Sequence, residues 1–263
     1  MPRVKKSDIC CADVSCGRAG RPFGTGAAGR ICLMATEAAS FKITPPRPAY
    51  AHPAFEQHAV QFYEDDDFLL ESVTRLMATG IGDGDCAIVV ATADHRAALD
   101  ARLLRRGLDM NAARRRGAYV ALDAAETLSR FMVGDAPDPA KFHNVVGSLI
   151  ERSLQGPPLR RVRIFGEMVA LLWADGNAAA AIELERLWND LTERKAFSLL
   201  CAYPMRAFAS PGQAEGFAAV GAAHGHVSPT ERYVELDPDD RLRAVARLEQ
   251  RVAALEAELA TKA

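Results

Sequence analysis

The chain is short of several things at once, and each absence closes off a class of function. No apolar run approaches bilayer length, and no hydrophobic segment with a small-residue cleavage site opens the sequence. A cytoplasmic protein with no membrane partner is therefore expected. With 32 Lys and Arg against 34 Asp and Glu, the formal charge is -2, which leaves no basic field for nucleic acid. Arg105, Arg106, Arg114, Arg115 and Arg116 do cluster, but at an expected helix end, where cations complement the negative pole and form a solvated face.

The six cysteines include no C-x-x-C pair. Cys10, Cys11, Cys16 and Cys32 read as adventitious thiols of the amino-terminal segment, whereas Cys86 and Cys201 lie in apolar runs and read as small buried hydrophobes. A nucleophile elbow and an H-E-x-x-H helix are also missing. The expectation is a non-enzymatic chain with no cofactor and no metal ligand set.

Residues 1–50 are rich in Gly, Ala, Pro and Arg without a sustained period, the composition of a disordered extension. Gly24, Gly26 and Gly29 satisfy G-x-G-x-x-G there. Arg30 and Ile31 stand where a phosphate loop needs Lys and Ser/Thr, and Gly17, Gly20 and Pro22 precede it instead of a strand, so a flexible linker is expected. Met34 is a second candidate start.

What is present is an alternation of strands and helices over 51–232. Ala59 to Tyr63, Cys86 to Ala91, Ala118 to Leu122, Val162 to Phe165 and Phe197 to Tyr203 read as strands, with CAIVVA the pattern of one buried on both faces. Amphipathic helices separate them. The reading is an α/β three-layer sandwich with a mainly parallel sheet of about five strands, because each parallel strand returns through a helical crossover. Over 233–263, Val245, Leu248, Val252, Leu255 and Leu259 recur at alternating spacings of three and four, a coiled-coil seam. A homodimer through this helix is one reading; packing on its own domain is the other.

The stretch VRIFGEMVALLW, Val162 to Trp173, sets Gly166 and Glu167 at a strand-to-helix junction. Ligands bind at the carboxyl ends of strands in open α/β sheets, so Glu167 stands where a charge matters, unless it only complements the helix dipole.

Six stretches together resemble the MEDS family of sensory domains: HAVQFYEDD (His58 to Asp66), LDAAETL (Leu122 to Leu128), GDAPDPAKF (Gly134 to Phe142), FGEMVALLWADGN (Phe165 to Asn177), LERLWNDL (Leu184 to Leu191) and LLCAYPM (Leu199 to Met205). The resemblance implies a RecA/KaiC-like α/β domain without a P-loop, a partner histidine kinase or transcriptional regulator, and sensing of a small hydrocarbon-derived molecule. The first strand runs into Glu64, Asp65, Asp66 and Asp67, whose charges would repel a triphosphate, so ATP hydrolysis is not expected.

The candidate site is accordingly a small-molecule site at the carboxyl edge of the sheet. It comprises His58, Gln61, Tyr63 and Glu64 from the first strand and Phe165, Glu167, Trp173 and Asn177 from the central unit. Structural alternatives stand beside these assignments: Tyr63 and Trp173 as core aromatics, His58 as a cap on the strand, Asn177 with Gly176 as a turn. A hydrolase using Glu167, or a scaffold without ligand, are the other functions considered. His224-Gly225-His226 reads as a mobile surface turn.

Overall fold

The computed structural model describes residues 58–155, 160–210 and 212–262. The amino-terminal extension, its glycine loop and Met34 lie outside the described residues. The chain runs β1 (His58–Tyr63), α1 (Asp66–Asp83), β2 (Cys86–Ala91), α2 (Ala93–Arg105), α3 (Met110–Arg115), β3 (Tyr119–Asp123) and α4 (Ala124–Ser129). A small hairpin, β4 (Met132–Val133) and β5 (Ala136–Pro137), precedes α5 (Pro139–Phe142) and α6 (Ser148–Leu154), which a π-helical turn at His143–Gly147 joins. Then come β6 (Val162–Gly166), α7 (Met168–Ala174), α8 (Ala178–Thr192), β7 (Ser198–Pro204), α9 (Ala214–Ala223), β8 (His226–Ser228), α10 (Glu231–Val234) and α11 (Pro238–Lys262).

The main sheet has the order β3-β2-β6-β7-β1-β8, and every pairing in it is parallel. It has six strands rather than about five. The extra one, β8, is only three residues long and pairs Ala59, Val60 and Gln61 of β1 with His226, Val227 and Ser228. A strand this short shows no period, which is why His226 read as part of a turn.

Strand alternation sorts the side chains into two cores. Val60 and Phe62 of β1, Ile88 and Val90 of β2, and Leu199, Cys201 and Tyr203 of β7 face a layer that includes Met168, Leu172, Leu184, Trp188 and Val220. Tyr63, Val89, Phe165 and Ala202 face Leu69, Val73, Leu99 and Met110 on the other side. Three layers result, and the strands are buried on both faces as their apolar runs require.

Local chemistry sets the helix starts at the carboxyl edge. Asp65 caps α1 by accepting from the Asp67 N–H at 2.8 Å, and Thr92 caps α2. At the amino edge, Gly84 takes a positive φ of 88° to end α1, and Arg163 of β6 bonds Asp85 at 2.8 Å in a buried ion pair.

The topology positions the site. From β2 the chain crosses through α2 and α3 to β3; from β6 it crosses through α7 and α8 to β7, on the opposite flank. These helices cover opposite faces of the sheet. Neighbouring strands whose connections part in this way leave a crevice at their carboxyl ends.

Candidate functional site

Glu167 sits in that crevice. It follows β6 immediately, with φ −110° and ψ 0°, and its N–H donates to the Val90 carbonyl of β2 at 2.9 Å. Its side chain makes no capping bond to α7. Instead Oε2 accepts the Thr92 N–H at 2.8 Å, and Oε1 meets Nδ1 of His95 in the first turn of α2. The carboxylate thus ties β6 to the start of α2, whose positive pole it complements.

Further polar groups line the same edge of the sheet. Asp66 Oδ2 stands 3.9 Å from His95 Nε2 and is open to solvent, while His95 is largely covered and Glu167 is buried. The hydrogen bond that His95 donates to Glu167 raises the His95 pKa above its usual value; burial opposes this, and the charges of Glu167 and Asp66 reinforce it. Burial pushes the Tyr63 phenol up, the carboxylates of Glu167 and Asp66 push it further, and Arg206 only partly offsets them, so Tyr63 is a neutral hydroxyl. On the β3 side, Arg96 donates to the Ala91 carbonyl at 3.2 Å and to Asp123 at 2.8 Å. On the β1 side lies a cleft of about 300 Å³ lined by Glu64, Met205, Arg206, Ala209 and Arg232.

The expected site residues divide. Glu167 alone lies in the crevice; Tyr63 ends β1, two strands from β6, and feels the Glu167 charge from there, while Glu64 lines the cleft on that side with its carboxylate 2.5 Å from Arg232 Nε. Gln61 lies deeper on the Tyr63 face, buried, with its amide donating to Ser72 at 3.4 Å, and Phe165 is a fully buried part of the same core. Trp173 packs in the opposite core, edge-on to Tyr203 at 5.9 Å and against Phe208 at 4.8 Å. Asn177 caps α8 through the Ala180 N–H at 3.1 Å and donates to the Asp135 carbonyl at 2.7 Å. It also borders a separate cleft of about 520 Å³ with Leu128, Met132, Asp135 and Asp175.

His58 is at the far end of β1 from Tyr63, and its side chain faces the other core, among Asn189, Glu185 and Cys201. It is not part of the carboxyl edge, because a six-residue strand separates its two ends by about 16 Å. Sequence reasoning missed Thr92 and His95, and placed Asp66 in the acidic run without making it a site residue, although Asp94-His95 also follows a buried strand, the criterion that singled out Glu167.

The sheet is parallel and doubly wound, and a polar cluster lies at its switch point. The family model described as the MEthanogen/methylotroph, DcmR Sensory domain (MEDS) matches residues 57–219, more than half of the sequence, and the chain belongs to this family of sensory domains. No curated protein matches the chain.

Proposed function

We propose that this domain is a sensor without turnover of its own. It takes a small, hydrocarbon-derived molecule at the carboxyl edge of the sheet and passes the bound state to a histidine kinase or transcriptional regulator in the cytoplasm. The observation that supports this most is the reach of Glu167 across the crevice, from β6 to Thr92 and His95 of α2. A ligand whose polar end takes one of those hydrogen bonds releases α2 from β6. Its differential affinity for the tied and released arrangements then sets how far the population shifts.

Ligand binding rather than phosphate chemistry fits the turn after β1. Asp65 already occupies the amino end of α1, and Asp66 and Asp67 fill its first turn. A triphosphate there would meet three carboxylates and no lysine. Among the described residues, no helix is long and apolar enough to cross a membrane. A scaffold reading has one observation of its own, the groove of about 880 Å³ that Tyr233, Arg247, Leu248 and Arg251 help to line between α10 and α11.

Thermal shift against a panel of small alcohols, aldehydes and halogenated hydrocarbons, run on the wild type and Glu167→Gln, tests the sensor. At least one compound should raise the wild-type Tm, with the shift lost in Glu167→Gln. A shift retained in that variant overturns the site. Magnesium-dependent ATP turnover abolished by Glu167→Gln overturns the non-enzymatic reading.

A further inference from the structure

A second polar cluster lies between the sheet and α8, away from Glu167. His58 opens β1, Cys201 is central in β7, Glu185 projects from α8, and His224 is the first residue after α9. All four are buried, Glu185 and Cys201 completely. One donor atom from each lies within 4.8 Å of the other three. Glu185 Oε2 is 3.2 Å from His58 Nε2, 3.4 Å from His224 Nε2 and 3.5 Å from Cys201 Sγ, and His58 Nε2 is 3.3 Å from Cys201 Sγ.

Hydrogen bonds around the cluster settle which way both imidazoles point. The Val220 carbonyl, which can only accept, lies 2.7 Å from His224 Nδ1, so that nitrogen carries the proton. The Ala223 carbonyl likewise takes the Asn189 amide N–H at 2.8 Å. Asn189 must therefore turn its oxygen to His58 Nδ1, 2.8 Å away, and that nitrogen is a donor too. In their neutral forms both rings aim an Nε2 lone pair at the Glu185 carboxylate, whose other oxygen accepts from the Tyr203 hydroxyl at 2.7 Å. A proton on one ring answers one lone pair only. His224 Nε2 is buried with no hydrogen-bond partner.

We propose that His58, Glu185, Cys201 and His224 form a structural zinc site. Zinc bonds of about 2.0 Å to nitrogen and oxygen and 2.3 Å to sulfur make a tetrahedron with edges of roughly 3.3 to 3.6 Å, close to the four separations found here. The donor set, two imidazoles, a thiolate and a carboxylate, suits that ion. Its two positive charges are cancelled by Cys201 and Glu185, so the loaded site is neutral where an uncompensated charge would be costly. Both imidazoles already have the outer hydrogen bonds that orient metal-bound histidines. Four protein donors in a closed, buried site leave no position for a reacting water, so the ion staples rather than catalyses. It joins β1, β7, α8 and the turn that starts β8, where the Gly225 N–H donates to the His58 carbonyl at 2.9 Å. His224 lies beyond the residues matched to the family, 57–219.

The test is metal content and cobalt spectroscopy on the full chain. After loading with zinc and dialysis, the wild type should hold one equivalent more than Cys201→Ala or His224→Ala, and chelation should lower its Tm. Cobalt in place of zinc should give tetrahedral visible bands and a thiolate-to-cobalt absorption. That absorption should persist when Cys10, Cys11, Cys16 and Cys32 are all replaced by Ser, which keeps the test decisive if the cluster variants do not fold. Loss of the absorption in that four-serine chain overturns the site, as does equal zinc in wild type and variants. A folded wild type whose Tm ignores both zinc and chelator means a buried imidazolium–carboxylate pair only, and also overturns it.

Discussion

Glu167 and His95, 72 positions apart in the chain, meet across the crevice between β6 and α2. The contact gives the carboxyl edge a pH dependence whose sign follows from the raised His95 pKa. A histidine that is easier to protonate in the folded chain than in the unfolded one adds stability below the unfolded value of about 6.5 and loses it as pH rises through the folded value.

Glu167→Gln should therefore be nearly as stable as the wild type at pH 8, and less stable at pH 5.5. Gln keeps an oxygen for the Thr92 N–H and offers its amide to a neutral His95, but it cannot hold the imidazolium. The charged hydrogen bond lost at low pH is worth about 1.5 to 3 kcal/mol before solvent is counted, and the partial exposure of His95 places the expected deficit near or below the lower end. Urea unfolding of both proteins at the two pH values measures it. An equal deficit at both would mean that Glu167 acts only through Thr92.

Two glycines of α9 make a paired test of packing, and of Trp173 as a core residue. A Cβ on Gly216 would lie 2.6 and 2.8 Å from atoms of the Trp173 indole, a rigid ring held by Tyr203 and Phe208. A Cβ on Gly221 would meet nothing within 4 Å. Replacing a helical glycine by alanine gains about 0.5 to 1 kcal/mol of propensity, while overfilling a core costs about 1 to 3 kcal/mol. Gly221→Ala should therefore raise Tm and Gly216→Ala lower it. The ordering fails if Trp173 is free to swing out of the core.

Much of this architecture is legible in the residues. CAIVVA is apolar at every position because β2 is buried on both faces, and Glu167 stands out because it is the one charge in the run from Ile164 to Trp173. His95 is less legible: its importance comes from the strand order, which brings β2 beside β6, and no local pattern encodes that neighbour. Cys201 is hidden for another reason, since one thiol in an apolar strand looks like any small hydrophobe. Glu185 carries a signal that went unused. It falls four residues after Ala181 and three before Trp188, both buried, so a carboxylate sits on the apolar stripe of α8.

The helix α11 shows where a pattern outruns one chain. Asp237 caps it through the Asp240 N–H at 2.8 Å, and Arg241 fastens its first turns to the Val234 and Leu236 carbonyls at 2.6 and 2.9 Å. Beyond that anchor Leu248, Val252, Leu255 and Leu259 are 61%, 54%, 49% and 68% exposed, an apolar seam with nothing over it among the described residues. With Val245 at heptad position a, Arg251 takes g and Glu256 the following e, so in a parallel dimer Arg251 faces the partner's Glu256, twice by symmetry. We expect light scattering to report a dimer that Val252→Asp dissociates. Arg251→Glu turns two attractions into two repulsions of about 0.5 kcal/mol each, a total near 2 kcal/mol and a dimer weakened roughly tenfold or more. Adding Glu256→Arg to Arg251→Glu should restore the affinity. Rescue depends on the parallel register; a dimer indifferent to both charge changes is antiparallel or uses another face, and a monomeric wild type leaves the seam to a different protein.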